Sequence, residues 1–259
     1  VLILVFLGLR QYLTQHDYLV DVSKTVSIYD KGEIEIAGQT LLVHPAQVSC
    51  SGFIVGRVNL PNGQYGYYIM TAAHCMSREA IYSIGELQAY TDTVPVYIKF
   101  ADGTKAVVRN YRASKFRDIG IIQVTTTKDY PVAEFSIQHY QVGDTLYGFG
   151  APSGVEKTLL RGIVSRDASM DIAASGAIGA APTIEKETIV AECGMCAGGA
   201  SGAGIFNTSS YKIEGMEVAG SRTDAMNFLV PASQLIKFYH WYMDHRSNTE
   251  ESTIWNSTK

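Results

Sequence analysis

The chain has 259 residues, 46% of them hydrophobic and 18% charged, the balance of a folded globular protein long enough to bury a core without staples. A formal net charge of -4 and the lack of any Lys/Arg cluster argue against a nucleic-acid partner. Four cysteines are too few for a disulfide scaffold.

Val1 to Leu9 is wholly apolar and Arg10 closes the run. It is too short to span a bilayer, which takes about 20 residues. Two readings stand: the remnant of a membrane segment in a longer precursor, or a buried strand or helix edge. Residues 1–25 are therefore set apart as an N-terminal segment. From Thr25 an alternation begins, with Val26, Ile28, Ile34, Ile36, Leu41 and Val43 separated by polar residues, which predicts strands with one buried face. Further strands are predicted at 52–58, 66–72, 95–100, 105–111 and 119–124. Turn signals at Pro61-Asn62-Gly63 and Asp102-Gly103 lie between them.

A second series of strands is predicted at 145–150, 158–165, 188–191, 204–207, 213–218 and 225–230. Arg166 to Pro182, rich in Ala, Gly and Ser, reads as a long mobile loop, a type usually functional or disordered. One helix is predicted, with Pro231 at its first position and Leu235, Tyr239, Tyr242 and Met243 on one face. The fold class is all-β: two six-stranded antiparallel barrels with a C-terminal helix. Residues 26–132 form the first barrel, 133–246 the second barrel and helix, and 247–259 a polar tail.

Cys193-Gly194-Met195-Cys196 has no βαβ pattern around it, so a redox motif fits poorly, and Cys50 and Cys75 have the wrong spacing for a zinc knuckle. Simple packing or one Cys50–Cys75 disulfide is left. The six histidines show no ligand spacing, and no metal or organic cofactor is expected.

Thr71-Ala72-Ala73-His74-Cys75 follows the strand Tyr67 to Met70. A histidine at a strand end among small residues can be held rigidly over a cleft as a general base and then acid. Alone it would read as a packing or surface residue. Gly198-Gly199-Ala200-Ser201-Gly202-Ala203-Gly204 places a serine where a tight turn can aim backbone N–H groups at one spot. Alone that run would be a flexible loop. Asp118, just before the apolar run Ile119 to Ile122, is the best candidate for an acid that accepts an imidazole N–H. Asp92, Asp102 and Asp129 lie in turn-like or polar stretches.

These three strings, in the order His, Asp, Ser, resemble the motifs of the trypsin/chymotrypsin-like serine proteases. The likeness spans roughly residues 48 to 240. Ser49 to Val55 is similar to the strand leading to the histidine, and Tyr147 to Pro152 with Leu160 to Ser165 to the second barrel of HtrA-type proteases. The resemblance implies a triad of His74, Asp118 and Ser201, an oxyanion hole on the N–H groups of Gly199 and Ser201, and a Cys50–Cys75 disulfide. It implies a serine endopeptidase acting on polypeptides. Met195, Cys196, Glu217, Val218, Ala219 and Gly220 match the substrate-binding walls, Val218 to Gly220 by strand pairing with an extended substrate. Glu217 either faces the pocket, where it would partner Lys or Arg, or faces solvent as an ordinary strand residue.

The sequence departs from the family in three ways. Ala200 stands where zymogen-type members carry an aspartate, so activation by a freed N-terminus is not expected. Gly204 replaces a common proline. No PDZ module follows the helix, so an HtrA-type regulated chaperone-protease is not implied. A catalytically silent peptide-binding protein and an esterase-like hydrolase are the competing readings. The setting implied is a viral polyprotein at a replication membrane, or a secreted or membrane-tethered bacterial enzyme. Asn207-Thr208-Ser209 and Asn256-Ser257-Thr258 are sequons of a kind that arise by chance.

Overall fold

A computed structural model describes residues 22–36, 39–43, 46–76, 78–84, 87–114, 117–137, 140–167, 189–192, 198–220 and 226–246. The readings made for residues 1–21, for 168–182 of the long loop, and for the 247–259 tail lie outside these residues.

The first set of strands is β1 (Thr25–Ile36), β2 (Gln39–Val43), β3 (Gln47–Asn59), β4 (Tyr65–Thr71), β5 (Arg78–Ile84), β6 (Leu87–Phe100), β7 (Lys105–Ser114) and β8 (Ile119–Thr126). Their order in the sheet is β2-β1-β3-β4-β8-β7-β6-β5, and β1 also pairs with β6. That extra pairing closes a ring of six strands, β1-β3-β4-β8-β7-β6, with β2 and β5 as outer extensions. β5 was not foreseen: Arg78 to Ile84 has its alternation broken by Ile81, and among the described residues the strand pairs only with the outer part of β6, from Leu87 to Asp92. Phe53, Ile54, Ile69, Met70, Ile98, Ile121 and Ile122 are fully buried in the core, each contributing about 1.5–3 kcal/mol of burial free energy.

The second set is β9 (Thr145–Gly150), β10 (Thr158–Asp167), β11 (Ile189–Glu192), β12 (Gly204–Asn207), β13 (Ile213–Gly220) and β14 (Met226–Pro231). They close a six-stranded barrel in the order β10-β11-β14-β13-β12-β9. A separate apolar cluster of Leu146, Leu160, Val164, Ala200, Ala203, Ile205 and Leu229 fills part of it. Two of its members, Ala200 and Ala203, flank Ser201.

The helix α1 runs Ala232–His245. Pro231 sits one residue earlier than expected, as the N-cap with φ -71° and ψ 155°, because it also ends β14. Leu235, Phe238 and Tyr242 are the buried face, while Tyr239 and Met243 are only half-buried. The helix returns from the second barrel to the first. Tyr239 and Tyr242 meet the ring of Tyr68 edge-on, and Arg246 donates to the Tyr68 hydroxyl at 2.6 Å. Among the described residues no helix is long and apolar enough to cross a membrane.

Candidate active site

β4 ends at Thr71, and a short 3-10 turn, Ala73–Met76, carries His74 just past the barrel rim. A disulfide joins Cys50 on β3 to Cys75 in that turn, with Cα atoms 6.2 Å apart. The turn is thus tied to the neighbouring strand beside His74. Gly120 lies beneath it, where a Cβ would strike Met76.

Asp118 immediately precedes β8 and has φ 52°, a left-handed conformation that Asp tolerates better than most residues. It is fully buried. Its Oδ1 accepts the His74 backbone N–H at 2.8 Å, and its Oδ2 lies 2.7 Å from His74 Nδ1. One carboxylate therefore holds both the backbone and the ring of His74, an arrangement that favours the proton on Nδ1 and the basic lone pair on Nε2. Arg117, one residue earlier, donates to Gln234 on α1, so the helix anchors the turn that presents Asp118.

Ser201 lies in a turn between the buried Ala200 and Gly202. Gly199 has φ 99° and Gly202 φ 85°, conformations that L side chains rarely adopt. Gly202 also sits where a Cβ would be 2.2 Å from Ser51 O, 2.3 Å from Thr71 Oγ1 and 2.9 Å from Ala72 N. The serine turn is thus pressed against the segment that leads to His74. Ser51 N donates to Ser201 O at 2.8 Å, a direct bond between the two barrels. Ala200 is packed in the apolar cluster of the second barrel, which accounts for an apolar residue at that position.

Met195 and Cys196 lie outside the described residues. Glu217, Val218, Ala219 and Gly220 lie on β13. Pairing of β12 with β13 runs from Phe206 to Gly204, opposite Met216. Beyond it, Gly202 N donates to Glu217 O at 2.7 Å and Glu217 N to Ala203 O at 3.0 Å. Glu217 does not face solvent, being 4% exposed. Its Oε1 accepts from Asn227 Nδ2 at 2.9 Å, and its Oε2 has no hydrogen-bond partner among the described residues. Burial pushes its carboxyl up to about 8, against the opposing pull of the Asn227 bond.

Sequence reasoning missed Ser51. Its hydroxyl accepts from Ala151 N at 2.8 Å and donates to Gly199 O at 2.7 Å, while its carbonyl accepts from Thr71 Oγ1 at 2.7 Å. Nothing in a one-strand pattern marks a serine as the meeting point of three segments. It also missed the turn Pro152–Gly154, where Ser153 has φ 53° and donates its N–H to Gly198 O at 2.7 Å.

The profile of the trypsin-like peptidase domain matches residues 50–216. No curated protein matches the chain. Among solved structures, an HtrA-type protease, AlgW in a substituted form with a tripeptide, is similar with a TM-score of 0.64 and 12% identity. That similarity covers 90% of this chain and 64% of the other. A serine endoprotease from Yersinia pestis is similar with a TM-score of 0.59 and 15% identity, over 89% of this chain and 66% of that one. The chain thus spans just under two thirds of the length of each, and at these identities the likeness speaks for the fold.

Proposed function

The chain belongs to the trypsin-like peptidase family, and from that premise we propose that it is an active serine endopeptidase whose triad is His74, Asp118 and Ser201. In this reading the Ser201 hydroxyl attacks the scissile carbonyl carbon while His74 Nε2 takes its proton. The C–N bond then breaks as the imidazolium returns that proton to the leaving amine. Water, deprotonated by the same nitrogen, cleaves the acyl-enzyme. Asp118 keeps the imidazole in its working tautomer and stabilises the imidazolium. The N–H groups of Gly199 and Ser201 receive the charge on the carbonyl oxygen.

The observation that carries the reading is the double hold of one buried carboxylate on His74, at 2.8 Å to its N–H and 2.7 Å to its ring. A silent peptide-binding relative has no need to fix a histidine tautomer. Polypeptide is the substrate class. Val218 to Gly220, where β13 runs past its pairing with β12, supply the edge for an extended substrate. Glu217 with Met195 and Cys196 belong to the side-chain pocket in this proposal. A narrower role, processing of a viral polyprotein, rests on the apolar run Val1 to Leu9 alone.

Labelling by a fluorophosphonate, read by intact mass, tests the reading. The parent is expected to gain one adduct and Ser201→Ala none, and Asp118→Asn to hydrolyse peptide about 10⁴-fold more slowly than the parent. A folded parent that neither labels nor cleaves a peptide library would transfer the case to the silent peptide binder.

A further inference from the structure

Three consecutive carbonyls in the serine turn are each pinned by a different segment. Gly198 O accepts from Ser153 N at 2.7 Å, in the turn after β9. Gly199 O accepts from Ser51 Oγ at 2.7 Å, on β3 of the first barrel. Ala200 O accepts from Ala203 N at 2.8 Å, within the serine turn itself. In a trans peptide the N–H points opposite the C=O of the same plane. Pinning Gly198 O therefore aims the Gly199 N–H, and pinning Ala200 O aims the Ser201 N–H. The Gly199 carbonyl belongs to the plane between these two donors.

That central plane is the one held from the other barrel. Ser51 is fully buried, and its hydroxyl is saturated in one direction only: it accepts from Ala151 N at 2.8 Å and so must donate to Gly199 O. The Ala151 end belongs to the same turn that pins Gly198. No side chain can replace the hydrogen at Gly199, since a Cβ there would lie 2.3 Å from Ala151 O. The neighbouring backbone leaves Gly199 little room to shift while Ser51 holds its carbonyl.

We propose that Ser51 is a positioning residue of the oxyanion hole: its hydroxyl, delivered from the first barrel, locks the peptide plane between the Gly199 and Ser201 donors. This rests on the endopeptidase reading above. The two barrels meet in one further bond of the same residue, Ser51 N to Ser201 O at 2.8 Å. A single residue on β3 thus sets both the nucleophile and the donors relative to the His74 segment, which it also holds through Thr71. The arrangement matters for rate because oxyanion donors act only when preorganised toward the developing charge.

The test compares Ser51→Thr with Ser51→Val, which carry the same bulk and differ only in the hydroxyl. Hydrolysis of a fluorogenic peptide, the rate of fluorophosphonate labelling, and the ³¹P resonance of the phosphorylated Ser201 adduct are measured in each. The Val variant is expected to lose about 10–100-fold in kcat relative to Thr, less than the full loss of a donor, with KM within about twofold. Labelling should slow in parallel, and the ³¹P resonance should move toward that of the denatured adduct. Ser51→Ala, which adds no bulk, should repeat the Val result and serves if both larger side chains unfold the protein. Equal kcat and equal ³¹P shift in Thr, Val and Ala, with a parent that labels, would overturn this inference and leave the triad standing. A parent that never labels would take both down together.

Discussion

Among the described carboxylates Glu217 is the one that burial opposes most. Its carboxyl is buried on β13, held by Asn227 on one oxygen, and raised from 4.5 to about 8 chiefly by burial. Below pH about 4.5 both folded and unfolded chains carry its proton. Between about 4.5 and about 8 the folded chain keeps the proton that the unfolded chain has lost. Folding then binds a proton, so stability falls as pH rises through this window and levels off above it. The size is on the order of 5 kcal/mol. Glu217→Gln keeps the acceptor for Asn227 and cannot ionise. It should match the parent in denaturant midpoint at pH 4.5 and exceed it at pH 8. Parallel profiles for the two proteins would mean that Glu217 ionises freely in the native state.

At the scale of elements, the disulfide joins β3 to the turn after β4 across a sequence separation of 25. Closing a loop of that length removes unfolded-state entropy worth about 3 kcal/mol. The paired substitution Cys50→Ala with Cys75→Ala should lower the unfolding free energy by about that amount in urea. An unchanged stability would mean that the β3–β4 pairing, which runs from Phe53 to Asn59, already holds the turn unaided. The strands themselves were legible as short apolar or alternating runs bounded by turn residues, although burial is wider than alternation implies: Thr25 and Ser27 on β1 are buried along with Val26 and Ile28. β5 was not legible, since Ile81 interrupts the alternation of Ala80, Tyr82 and Ile84. The His, Asp and Ser strings were legible as local patterns. Ser51 and Gln234 were not, because their partners lie on segments far away in sequence, where spacing along one chain carries no signal.

At the scale of the molecule, the proposed site exists only where the barrels meet, so their relative placement is part of its chemistry. Besides Ser51, the seam is tied by Glu156, in the connection between β9 and β10. Its Oε1 accepts from the Tyr29 hydroxyl at 2.5 Å and its Oε2 from Lys99 Nζ at 2.7 Å. Both donors belong to the first barrel, on β1 and β6. Burial alone would raise the Glu156 carboxyl, but the bonds from Lys99 and Tyr29 outweigh it and hold it below the usual range. Its stabilisation is therefore present at neutral pH and is lost as pH falls through that lowered pKa. The Lys99 and Glu156 side chains are 29% and 16% exposed, so solvent screening trims the bond while leaving it stronger than a surface pair. A double-mutant cycle of Lys99→Met and Glu156→Gln should give a coupling energy of about 1 kcal/mol in unfolding. If the seam aligns the site, Glu156→Gln also lowers kcat/KM several-fold at pH 7, while the His74 segment, held by Asp118 within its own barrel, keeps its geometry. Coupling in stability with no change in kcat/KM would place barrel alignment on Ser51 and the helix instead.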